Sequence, residues 1–147
     1  MQAPAQARSH HRAEARARLR VAFVLARRFT LCAFANFVDV LRLAADEGDR
    51  SRPILCRWSV LSDAMSPVAS SCGVKVQPDA RPGDPRDFDY VVVVGGLLHG
   101  GEAMDDASIA YLRTAAASGV PLVGVCTGSF VLARAGLMRG HRCCVSW

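Results

Sequence analysis

Pro121–Leu137, PLVGVCTGSFVLARAGL, is the stretch on which the reading of this chain turns. The apolar run Pro121–Val125 predicts a buried strand, Cys126 stands at a tight turn, and Thr127–Ala135 predicts a helix with Gly136 at its C-terminal end. Gly124 and Gly128 lie two positions on either side of Cys126. That spacing matches a nucleophile elbow, with Cys where serine hydrolases carry Ser. Such a corner lifts one side chain above the C-terminal edge of a sheet. The flanking glycines are expected to permit close packing and unusual backbone angles. The turn would also place the thiol at a helix N-terminus, whose backbone N–H groups can hold an anion.

Upstream, Tyr90–Val94 (YVVVV) predicts another buried strand, running directly into Gly95–Gly96. If it neighbours the Cys126 strand, the Gly95 and Gly96 N–H groups would form the other half of an oxyanion hole. Arg20–Ala26 (RVAFVLA) reads as a first strand, apolar throughout because both faces are covered. Thr30 is placed as the N-cap of a helix to about Glu47, with Phe34, Phe37, Val38, Leu41 and Leu43–Ala45 on its apolar face and Gly48 ending it. Ile54–Leu61 is a second strand, and Val68–Ala69 with Val74–Val76 suggests a hairpin around Ser70–Gly73. Pro78–Arg86 reads as loop. Asp105 or Asp106 caps a helix to about Ser118, facing inward through Ile109, Leu112 and Ala116, and Gly119 ends it. The alternation of strand and helix predicts an α/β fold with a doubly wound, mostly parallel sheet. Arg142–Trp147 (RCCVSW) reads as a strand with no helix after it, so the domain is expected to be truncated at its C-terminus.

Formal charge is +5, but residues 1–20 hold five arginines against Glu14. The body is therefore close to neutral and lacks the basic surface of a nucleic-acid binder. Residues 1–19 read as a disordered basic leader, a composition that also suits a transit peptide. No run approaches the roughly 20 apolar residues of a membrane span. Cys32, Cys56, Cys72, Cys126, Cys143 and Cys144 form no C-x-x-C pair, and most sit in apolar runs, where a free thiol packs as a small hydrophobe. Cys143 and Cys144, adjacent on the expected strand, would point to opposite faces, so no metal site is expected. Free thiols in a chain with this much core material point to a reducing cytoplasm.

VAFVLA, FTLCAFANFVDVLRLA, CRWSVLSDAMSPVASSCGVKVQPD, DYVVVVGG, VCTGSFVLARAGLMRG and RCCVSW together resemble the PfpI-like, class I glutamine-amidotransferase-like superfamily. More narrowly they resemble the sensor domain of the GlxA subgroup of AraC-type transcriptional regulators. The resemblance covers most of Val21–Trp147 and implies a flavodoxin-like fold. It implies a small amino-acid- or amine-like effector, dimerisation of the whole protein, and DNA contact through a C-terminal pair of helix-turn-helix motifs absent from this chain.

Hydrolytic members of the superfamily carry His directly after the nucleophilic Cys; here Thr127 stands there and cannot act as a general base. Many carry an acid early in the first helix, at the position best matched by Ala33. A His that often precedes the strand-end Trp is replaced by Ser146. His10 and His11 lie in the leader and His141 follows the elbow helix, which leaves His99 as the candidate neighbour of Cys126. The expected site is a ligand pocket of Gly95, Gly96, His99, Cys126 and Thr127, without catalysis and without a cofactor. Asp39 and Glu102 are candidates for an amine partner by composition. Two other readings stay open: a cysteine-dependent enzyme (hydrolase, amidase or glyoxalase-like) using Cys126 and His99, and a redox sensor with Cys126 as the reactive thiol.

Overall fold

The computed structural model describes residues 19–46, 48, 50, 55–99 and 101–144. The basic leader expected over 1–19 lies outside these residues except for Leu19, which opens the first strand. That strand, β1 (Leu19–Leu25), is followed by α1 (Leu31–Ala45) and β2 (Cys56–Leu61). A short excursion then carries β3 (Val68–Ala69), β4 (Lys75–Val76) and a single 3-10 turn at Pro85–Asp87. The order closes with β5 (Tyr90–Val94), α2 (Asp106–Ala117), β6 (Leu122–Val125) and α3 (Gly128–Arg134).

Four strands form one parallel sheet in the order β2-β1-β5-β6. The chain steps outward from β1 to β2, then crosses back to build β5 and β6 on the other side, the flavodoxin-like winding. Pleating explains why β1 and β5 are apolar without a break. Val21, Phe23 and Leu25 enter one core with Val92 and Val94, while Ala22, Val24 and Ala26 enter the other with Val91 and Val93. The first core lies under α1, where the Phe23 ring meets Phe34 and Phe37 edge-on at 5.3 and 5.5 Å. The second holds Tyr111, Leu112 and Ala115 of α2 and Val131 and Leu132 of α3.

The expected hairpin is present, β3 and β4 pairing antiparallel. Several expectations need correction. The buried side of α2 is Ser108, Tyr111, Leu112 and Ala115, one position away from the Ile109–Leu112–Ala116 stripe. Asp105 accepts the Ser108 N–H at 2.7 Å, and this cap sets which residues of the first turn face inward. On α1 only Ala45 is fully buried, and Leu43 is exposed, because a single helix crosses this face of the sheet among the described residues. Cys32, Cys72, Cys126, Cys143 and Cys144 are exposed, and only Cys56 packs as a hydrophobe. Residues 141–144 are not strand, so Cys143 and Cys144 do not alternate across a sheet; Val145, Ser146 and Trp147 lie outside the described residues.

Candidate functional site

The corner between β6 and α3 turns on Cys126 itself, whose φ is +56°. A non-glycine residue in the left-handed region is sterically disfavoured and persists only where its surroundings fix it. Three glycines do the fixing. A Cβ on Gly128 would strike the Val93 carbonyl, and one on Gly95 would strike Thr127 and the Gly128 nitrogen. A Cβ on Gly124 would stand 2.8 Å from the Ser129 nitrogen. The first turn of α3 is thus pressed onto the end of β5. The expected role of the flanking glycines is half right: they allow close packing, while the unusual backbone angle belongs to the cysteine.

Gly95, Gly96, Cys126 and Thr127 come together. Thr127 Oγ1 donates to the Gly96 carbonyl at 2.7 Å, fastening the elbow to the β5 turn. The Gly95 N–H donates to Val125 O at 3.0 Å, so it extends the β5–β6 ladder instead of facing a ligand. The oxyanion role expected of Gly95 is therefore not available, and of the two glycine amides only that of Gly96 lacks a backbone acceptor among the described residues.

His99 sits exposed on the loop after β5, and no hydrogen bond links it to Cys126. The partner of the Cys126 thiol is Thr30, with Oγ1 and Sγ 3.4 Å apart. Thr30 does stand at the N-cap of α1, yet its side chain makes no capping bond. Sequence reasoning gave it the cap and missed the contact. The available signal was Ala33 at the third helical position, where a capping box would place Glu or Gln. Ala33 packs against the α1-side core, leaving the acid position apolar. The two carboxylates suggested for an amine are engaged elsewhere, Asp39 with Arg42 at 3.6 Å and Glu102 with Arg134 at 2.5 Å.

Arg28–Thr30 ties the rim together. Arg28 N–H bonds Ala69 O at 3.0 Å, Ser71 N–H bonds Phe29 O at 2.9 Å, and Thr30 N–H bonds Gly95 O at 2.9 Å. The β3–β4 hairpin is thereby held at the same edge as the elbow. Its tip carries Cys72, 3.2 Å from the Ser70 hydroxyl. That hydroxyl, helped by the Val74 backbone N–H, holds the Cys72 thiol below the usual cysteine range. Beside Thr127 lies a cavity of about 150 Å³, lined by Leu97, Leu98, Phe130 and Arg134 among others. Drug-sized sites run from roughly 300 Å³ upward, so this one admits only a molecule of a few heavy atoms.

The DJ-1/PfpI family model matches residues 19–147, the whole sheet and its elbow. The chain belongs to the DJ-1/PfpI family. Within it, the HTH-type transcriptional regulator GbdR of Pseudomonas aeruginosa is 36% identical over 127 residues, covering 86% of this chain and 34% of that protein. The regulator CdhR of the same organism is 36% identical over 125 residues, 85% of this chain and 36% of its own length. Isonitrile hydratase of Pseudomonas putida is 36% identical over 83 residues, 56% of this chain and 36% of that enzyme. Among solved structures, an AraC family transcriptional regulator from Pseudomonas putida superposes with a TM-score of 0.66 at 26% identity, over 84% of this chain and 64% of that one. This DJ-1/PfpI chain spans about a third of the length of the regulators it matches. No helix among its described residues is long and apolar enough to cross a membrane.

Proposed function

We propose that residues 20–147 are the effector-sensing part of an AraC-type transcriptional regulator. The elbow region of Gly95, Gly96, His99, Cys126 and Thr127 takes a small amino-acid- or amine-like effector and does not turn it over. Operator contact belongs to a helix-turn-helix domain outside this chain, and the regulator works in the cytoplasm as a homodimer. The observation that carries the reading is the Thr127 side chain. By the resemblance it stands where hydrolytic relatives carry His, and its hydroxyl proton is directed at the Gly96 carbonyl. The likeness to two regulators over more than four-fifths of the chain supports the same reading.

The test is a melting-temperature screen with amino acids and quaternary amines, run beside a product assay. A true effector raises the melting temperature progressively, by about 2.7 kcal/mol of stabilisation at a hundredfold excess over its Kd. Product formation that disappears in Cys126→Ala would instead establish an enzyme. That second reading is favoured by one observation, the exposed thiol held at φ +56°, and by the likeness to isonitrile hydratase.

A further inference from the structure

We infer that a second site, separate from the elbow, binds small aliphatic monocarboxylates between Arg27 and Arg28 and an apolar floor of Leu61 and Met104. Open parallel sheets bind their ligands at the carboxyl edge of the strands. Here a cavity of about 360 Å³ opens beside the ends of β1 and β2, within the range of small-molecule sites. Arg27 and Arg28 line it, both exposed. Arg20, Arg81, Arg86 and Arg134 each hold a carboxylate, whereas neither guanidinium here has a hydrogen bond or ion pair to a described residue.

Backbone contacts fix where these arginines start. Arg27 N–H donates to Ala103 O at 2.8 Å. Arg28 is held at φ +54° by its bond to Ala69 and by Leu97 N–H on its carbonyl at 3.2 Å. Gly96 has no Cβ because the Arg28 carbonyl occupies that space. The two cationic side chains are thus rooted on a rigid rim and free for a ligand, and a guanidinium fork suits a carboxylate.

The rest of the wall selects the kind of anion. Leu61 and Met104 are buried on the α2 side of the sheet and give an apolar floor. Asp105 also lines the cavity, its carboxylate capping α2 through Ser108 N–H. Two cations against one anion suit a single negative charge. A dianion such as phosphate would face Asp105 and leave the floor unsatisfied. Ala103 and Met104 line both this cavity and the smaller one at Thr127, and so form the partition between them.

The experiment is a titration of the 147-residue chain with sodium butyrate at constant ionic strength, followed in amide-resolved nitrogen-proton NMR spectra. Butyramide is the neutral isostere. Butyrate should give saturable shifts at Arg27, Arg28, Leu61 and Ser108, and butyramide should not. Combining Arg27→Gln with Arg28→Asn should weaken binding by about tenfold or more, since Asn tolerates the left-handed backbone. Cys126→Ala should leave the affinity unchanged, which separates this site from an effector at the elbow. Equal shifts with butyramide, shifts that grow linearly with salt, a map centred on Cys126, or unaltered binding by the double variant would each overturn the proposal. Should the double variant lose its folded spectrum, Arg27→Gln alone carries the same comparison on an exposed side chain.

Discussion

At Gly95 one methyl group decides whether the elbow can close. Its Cβ would overlap the Thr127 backbone and the Gly128 nitrogen, and neither can retreat without moving α3 off β5. Gly95→Ala is therefore expected to cost about 3 kcal/mol, the upper end for overpacking, read as a lower urea midpoint with unchanged slope. Gly101→Ala, where no atom lies within 4 Å of the added Cβ, carries only backbone strain and is the control. Tyr111 shows the opposite case. Its hydroxyl is buried without a partner, and burial, with Asp87 and Asp84 nearby, pushes its pKa up to about 12. The unfolded phenol ionises near 10, so folding favours the protonated form. Stability should be fully present below pH 10 and fall as pH rises from 10 towards 12. Tyr111→Phe should remove that decline and raise stability at pH 7 by about 1 kcal/mol, because an orphan hydroxyl is lost; denaturant melts at both pH values check it. For Cys72 the expected outcome is kinetic. Ser70→Ala should return its thiol towards the ordinary range and slow its alkylation at pH 7.5, followed site by site by mass spectrometry.

Among the elements, the excursion between β2 and β5 is clamped to β2 by the Asp79 carboxylate, beside the backbone ties of Ala80. Asp79 Oδ2 accepts the Val60 N–H at 2.7 Å, and the Asp79 N–H returns to Val60 O at 2.8 Å. Asp79→Ala should cost about 2 kcal/mol, as for a hydrogen bond to a charged group, and should raise amide exchange at Val60 first. Asp79 also shows where sequence reading stops, since it was read as loop composition and its use as a strand clamp depends on a partner 19 residues away. Local signals read well: YVVVV gave β5 residue for residue, Asp105 capped α2, and Val68–Val76 gave the hairpin. Periodicity placed α2 but not its rotation, because Ile109 and Tyr111 are both large and apolar enough to face inward. At the site, Gly124, Cys126 and Gly128 announced the corner. The Thr30–Cys126 contact spans 96 residues and left no mark on local pattern. Exposure of the cysteines was equally hidden, since an apolar run does not say which of its faces is covered.

Across the whole molecule, β2 and β6 stand at the two edges of the sheet among the described residues, and Leu122 and Val123 of β6 are half-buried. Edge strands of this kind invite pairing with a second chain. Val123→Lys should raise the monomer fraction of the 147-residue chain in size-exclusion chromatography, whereas an unaltered profile would assign any self-association to another surface. The carboxyl edge of the same sheet is bound together by Phe29, which bridges Ser70 of the hairpin on one side and Gly96 on the other. The amides of Arg28, Thr30, Ser71 and Leu97 all depend on that bridge for their acceptors or their alignment. They should therefore behave as one cooperative opening unit, trading their protons for deuterons at a common rate. Anything that seats near Thr30 or Arg28 would then slow all four together, a collective signature legible before any bound molecule is identified.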